Sequence, residues 1–190
     1  MIRALATASL TAALLLGGNA HAIEYTQVDT AASTLGFRYT QMGVTLDGRF
    51  RQFTATLAYD PTRPDAARTV FEVPIAGIDT GAEEGDAEVK GKDWFNLAAH
   101  PLARFESTAV TVRAPNRLDV TGTLTIKGRS RTVTLPVEVD TSAQRVRFKG
   151  SLALRRADYA IGEGDWAAED IVAGNVQVDV VLVATPAGKP

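Results

Sequence analysis

The chain has 190 residues, with 22 acidic against 20 basic side chains and a formal net charge of −2. That length supports one domain with a substantial core, and the near-neutral charge argues against nucleic acid as a partner. There is no cysteine, which excludes disulfides, thiolate catalysis and cysteine-ligated metals.

The first 22 residues read as a secretory leader. Arg3 supplies a positive start, Ala4 to Leu16 an apolar run, and Ala20-His21-Ala22 an A-x-A cleavage pattern. The apolar run is short for a bilayer span. It carries no twin-arginine pair and no cysteine follows it, so general secretion without a lipid anchor is expected. The mature domain is expected over residues 23–190, soluble and outside the cytoplasm. It keeps one histidine, His100, which weakens triads and histidine-rich metal sites.

Ile23 to Asp29 reads as a short first strand. Thr34 to Gln41 alternates, with Leu35, Phe37 and Tyr39 on one face. A kink is expected at Met42-Gly43-Val44, after which Gly48 to Phe53 and then Ala55, Leu57 and Tyr59 continue the chain to a turn at Asp60-Pro61. Thr69 to Ile78 reads as the next strand, with Phe71, Val73 and Ile75 together. Pro74 in its middle suggests an edge or a bulge. From Asp79 to His100 the period of two is lost. Glu83, Glu84 and Asp86 precede Lys90 and Lys92, acidic first and basic last, which suits a short helix rather than a calcium loop.

Strands resume at Leu102 to Val112. Phe105 and Ser107 share one parity and Val110 and Val112 the other, so a bulge is expected near Ser107-Thr108. Leu118 to Val139 is the clearest hairpin. Leu118, Val120, Leu124 and Ile126 alternate with polar residues, as do Val133, Leu135, Val137 and Val139, and Lys127-Gly128-Arg129-Ser130 supplies the turn. Val146, Phe148, Leu152 and Leu154 form one face of the next strand. Arg155 to Trp166 is a second irregular stretch. Ile171 to Thr185 is the last strand, with Val176, Val178, Val180 and Leu182 inward.

About eight antiparallel strands with meander-like spacing must curl into a barrel or split into a sandwich. A barrel of that size holds either packed side chains or one small ligand. Alternation alone leaves both open.

In order and spacing the residues resemble the YceI-like proteins. The resemblance runs through Val28-Asp29, Ser33-Thr-Leu-Gly-Phe37, Gly48-Arg-Phe50 with Phe53, Ile78-Asp-Thr-Gly81, Asp86, Asp93 with Phe95, and His100-Pro101 with Phe105. It is most specific at Gly122 to Gly128 with Val133-Thr-Leu135, and continues at Arg156 to Ile161. Gly85, Glu88, Trp94, Ala55 and Ala160 depart from that family's usual residues. The resemblance implies an all-β, eight-stranded antiparallel lipocalin-like barrel with a short helical excursion near residues 83–100. It implies a periplasmic, non-enzymatic carrier whose lumen holds an isoprenoid lipid, either a polyprenyl phosphate or a quinone, with no other cofactor.

Candidate lumen residues are Phe37, Tyr39, Phe71, Phe105, Leu124, Ile126, Leu135, Phe148, Leu152 and Leu154. An apolar tail gains about 25 cal/mol for each Å² taken out of water. Trp94, Phe95, Tyr159 and Trp166 are expected to wall the mouth, to anchor loops on the barrel end, or both. Arg155 is the candidate for a polar head group, while an ion pair with Asp158 or the carboxylates of 163–170 is expected for Arg156. The alternative is an interaction module with a filled core, recruited by an envelope or membrane protein. The long apolar strand from Ile171 to Val183 is also a candidate edge for pairing with a second copy.

Overall fold

The computed structural model describes residues 23–188; the leader expected over 1–22 lies outside the described residues. Among the described residues, eleven strands form one antiparallel sheet. They are β1 (Tyr25–Val28), β2 (Thr34–Gln41), β3 (Val44–Phe50), β4 (Thr54–Ala58), β5 (Arg68–Pro74), β6 (Ile78–Asp79), β7 (Leu102–Ala114), β8 (Arg117–Ile126), β9 (Arg129–Thr141), β10 (Val146–Arg155) and β11 (Asn175–Pro186). Among the described residues one α-helix, α1 (Glu83–Glu88), interrupts them, along with short 3₁₀ turns.

The strands pair in the order β4-β5-β7-β8-β9-β10-β11-β2-β3-β6. Strands β3 and β4 are consecutive, separated only by residues 51–53, which brings β4, at one end of that path, next to β3 near the other. Strand β1 completes the circuit at one end. It pairs with β11 and also exchanges backbone hydrogen bonds with β4's continuation, Tyr25 N–H to the Tyr59 carbonyl at 2.8 Å and Tyr59 N–H to the Tyr25 carbonyl at 3.2 Å. Around the wall, β1 thus continues the position of β2, and β4 that of β3. The result is the lipocalin-like barrel of eight wall positions that the resemblance implies.

The β8–β9 hairpin turns through Lys127 and Gly128, with φ of 49° and 70°. The bulge in β7 is present, because the register with β8 skips between Ser107 and Ala109. Three local expectations are corrected. Met42-Gly43 is a tight hairpin turn between β2 and β3, not a kink; Met42 takes φ of 49°, a conformation that asparagine or glycine usually advertises. The strand from residue 68 stops at Pro74, and 75–77 forms a turn of 3₁₀ helix before the two-residue β6. Proline ends the ladder because it has no N–H to donate, and β5 is an interior strand, paired with β4 and β7. Strand β11 is likewise interior, paired with β10 on one side and with β2 and β1 on the other, so it offers no free edge to a second copy.

Two separate apolar clusters sit at the ends of the barrel. The floor packs Tyr25, Tyr59, Val110, Leu118, Val137, Val139, Val146 and Ala184, with Phe148 edge-on to Tyr59 at 4.9 Å. The cap packs Trp94, Tyr159, Ile161 and Val172 over Val73, Ile75, Ala103 and Ile126.

Candidate functional site

Between floor and cap lies a hollow of about 570 Å³. Registers carry its wall across several strands at one level. Leu152 of β10, Val178 of β11, Phe37 of β2 and Gly48 of β3 form one row. Phe71 of β5, Phe105 of β7 and Leu124 of β8 form another. These side chains point inward by strand alternation, yet Phe37, Phe71, Phe105, Leu124, Leu152 and Val178 are only half-buried. Inward apolar groups that keep exposed surface border an open interior rather than a packed core.

Two glycines shape that wall. A Cβ on Gly48 would lie 2.2 Å from Cζ of Phe37, and one on Gly122 would lie 2.5 Å from Cζ of Phe105. Each ring lies flat over a position without a side chain. Phe37 also meets Phe50, their centroids 5.4 Å apart, and Phe53 stacks against Phe71 at 5.8 Å.

The two irregular stretches close the other end together. The Asp93 carbonyl accepts the N–H groups of Gly162 and Glu163, both at 2.8 Å, and the Trp94 and Trp166 rings lie 5.5 Å apart. Arg156 organises the second stretch. It is 4% exposed and donates to six backbone carbonyls, those of Ile161, Gly162, Ala167, Ala168, Val172 and Ala173. Lys127 ties the β8–β9 turn to the cap, donating to the Ala160 carbonyl at 2.6 Å and to Glu163 at 2.9 Å. That ammonium holds the Glu163 carboxyl below its ordinary value.

On the α1 side, Glu84 and Glu88 are exposed and also reach the hollow. Asp86 accepts from Thr80 N–H at 2.6 Å and from the Thr80 hydroxyl at 2.8 Å, which anchors the helix start to β6. The Tyr39 hydroxyl donates to the Thr80 carbonyl at 3.2 Å. Burial first, and the Asp86 charge second, push its phenol above the ordinary value.

Of the candidate residues, Phe37, Tyr39, Phe71, Phe105, Leu124, Ile126, Leu135, Phe148, Leu152 and Leu154 all line the hollow from the strands. Trp94, Phe95, Tyr159 and Trp166 line it from the cap and at the same time pack the cap's core. Arg155 does not join them. It follows Leu154 on β10, so alternation turns it outward, where it is exposed. At the cap, Arg156 reaches the wall instead, and its partners are carbonyls rather than the carboxylates expected for it. Leu35, Phe50, Leu57, Val110, Val120, Val176, Val180 and Leu182 belong to the wall too. Most share the parity of residues already singled out. Ile161 and Val172 sit in irregular chain, where no period marks them. Among the described residues, no group of three or more His, Asp or Glu side chains could hold a metal ion.

The chain belongs to the YceI-like domain family, whose model matches residues 26–184. A UPF0312 protein of Azotobacter vinelandii is 27% identical over 188 residues, covering 95% of each chain, and one of Pseudomonas aeruginosa is 29% identical over 168 residues, 84% of this chain and 87% of that one. Among solved structures, Burkholderia cenocepacia BcnA is similar at a TM-score of 0.81 with 36% identity, over 84% of this chain and 100% of that one. A polyisoprenoid binding domain from Saccharophagus degradans, implicated in plant cell wall breakdown, shares the fold at a TM-score of 0.67 and 18% identity, over 87% of this chain and 99% of that one.

Proposed function

We propose that this member of the YceI-like family is a periplasmic carrier that holds an isoprenoid lipid in its lumen. The observation that carries the reading is the hollow itself. Phe37, Phe71, Phe105, Leu124, Leu152 and Val178 face inward and are left half-buried around about 570 Å³ of space. That volume lies within the range of roughly 300–1,000 Å³ typical of small-molecule sites. The wall is dominated by aliphatic and aromatic side chains, which favours a ligand recognised by apolar area rather than by many polar contacts. A filled-core interaction module would bury these side chains against one another instead.

Membership in the family and the fold shared with a polyisoprenoid binding domain support the isoprenoid class. The leader-like residues 1–22 support export, and a soluble barrel that shields an apolar tail suits transfer between membranes across an aqueous compartment. No reaction is part of the proposal. The test is a binding titration with isoprenoid quinones and polyprenyl phosphates, run on the mature protein and on Val178→Trp. Saturable binding by the mature protein, abolished in a folded Val178→Trp variant, is the expected result. Binding that survives the bulky substitution places the lipid elsewhere and overturns the lumen reading.

A further inference from the structure

The two stretches that close the cap end are held in different ways. Residues 156–174 are pinned by the buried Arg156, by Lys127 and by the Asp93 carbonyl. The other stretch carries α1, and α1 buries none of its six residues. It nevertheless borders the hollow, which Glu84, Gly85 and Glu88 line.

The helix covers a gap in the wall. On its second side β3 pairs with β6 at Arg49 and Phe50, and among the described residues no strand continues that pairing along residues 44–48. Residues 80–88 lie there instead. The Thr80 carbonyl accepts from Tyr39, which stands opposite Leu46 of β3, and a Cβ on Gly81 would lie 3.7 Å from the Asp47 carbonyl oxygen.

As a piece of wall, α1 is weak. Six residues make fewer than two turns, too few for a helix to stand alone. Gly85 sits inside it, and Glu84 and Glu88 lie four apart, where like charges repel. One carboxylate fastens it. Asp86 accepts the Thr80 N–H at 2.6 Å and the Thr80 hydroxyl at 2.8 Å, with Arg51 3.5 Å from its other oxygen. The far end is anchored, because Val89 packs against the cap and its carbonyl accepts the Phe95 N–H at 3.0 Å. At the near end Gly81, with φ of 90°, is free to take the backbone rotation that opening needs.

We propose that α1 is the gate of the hollow. Residues 81–88 lift off Thr80, hinging at Gly81 and Val89 with Asp86 as the latch, and the lumen ligand enters and leaves through the gap they uncover beside β3. This rests on the carrier reading and adds to it the route by which the carrier loads.

The chain has no cysteine, and a Cβ on Gly85 would lie 3.4 Å from Cβ of Thr80, close to the separation of about 3.5–4.5 Å that a disulfide bridges. Thr80→Cys combined with Gly85→Cys therefore locks the gate when oxidised and frees it when reduced, in one protein. The probes are an isoprenoid quinone and a polyprenyl phosphate, followed through the fluorescence of Trp94 and Trp166, the chain's two tryptophans, which both line the hollow. Oxidation is expected to slow uptake and release by roughly tenfold or more, and reduction to restore both. Asp86→Ala is expected to speed both by roughly tenfold, through loss of the charged latch. Wild-type protein without ligand gives a third readout, independent of whether the cross-link forms. The amides of Asp86 and Val89, bonded within α1, should exchange hydrogen sooner than those of Ile161 and Gly162 in the pinned stretch. Equal probe rates in oxidised and reduced protein, rates unmoved by Asp86→Ala, or α1 amides as protected as that of Ile161 overturns the gate and leaves the carrier intact. Failure of both probes to bind the wild-type protein overturns the carrier reading itself.

Discussion

Phe37 and Gly48 stand directly opposite each other in the β2–β3 pair, and the phenyl ring fills the space that a side chain on residue 48 would need. The contact shapes the lumen wall, because the ring lies along the sheet and leaves the interior open. Gly48→Ala forces Phe37 off its rotamer and also presses on the Asp79 carbonyl, 2.8 Å from the new Cβ. A loss of about 1–3 kcal/mol is expected, the usual cost of overpacking. Gly36 lies one residue earlier on β2, where the nearest atom to a new Cβ is the Gly48 carbonyl oxygen at 3.4 Å. Gly36→Ala should be close to neutral, or slightly stabilising through the unfolded chain. Thermal melts of the two variants should differ clearly, with Gly48→Ala the lower.

Arg156 holds the second irregular stretch by filling carbonyls that no strand or helix satisfies. Lysine keeps the charge but offers three donors from one point, which cannot reach acceptors spread from Ile161 to Ala173. Arg156→Lys is expected to cost about 2–4 kcal/mol, since it leaves buried carbonyls unpaired. Hydrogen exchange should show the loss concentrated in residues 160–174, while the β8–β9 ladder stays protected. Uniform loss of protection across the barrel would contradict the assignment.

Acid should weaken the joint between β3 and β6. Arg51 first, then the Gly81 N–H, with Arg49 adding to them, hold the Asp79 carboxyl below its ordinary value of 3.8. A carboxyl lowered in the folded state contributes stability that is fully present above its unfolded value and lost as the pH falls through the folded one. Asp79→Asn should therefore melt below wild type at neutral pH. The gap should close as the pH drops below about 4. A gap that stays constant with pH would show that the Asp79 charge is not what holds the joint.

Much of the architecture is legible in the residues themselves, for a physical reason. Alternation at Thr34 to Gln41 and at Leu118 to Val139 reports which side chains face inward, and those strands occur almost where the pattern places them. The bulge at Thr108 is visible as a change of parity between Phe105 and Val110. The Met42-Gly43 turn is hidden, because its left-handed residue is one that seldom adopts that conformation. Pairings between distant pieces, such as Tyr25 with Tyr59, are not written in local periodicity. Arg156 is misread because an arginine beside carboxylates suggests an ion pair, and only the folded loop reveals the cluster of carbonyls around it. Above all, alternation cannot tell a hollow interior from a filled one. That depends on whether opposing side chains meet, and it appears only once the wall has curved.

The hollow is expected to carry an isoprenoid in the cell. The most direct test is to purify the mature protein from a bacterial periplasm, extract it with organic solvent and identify the extract by mass spectrometry. An isoprenoid lipid is expected in near-stoichiometric amount, depleted when Val178→Trp is purified in the same way. An extract without isoprenoid, together with failure to take up added quinones and polyprenyl phosphates, would contradict it.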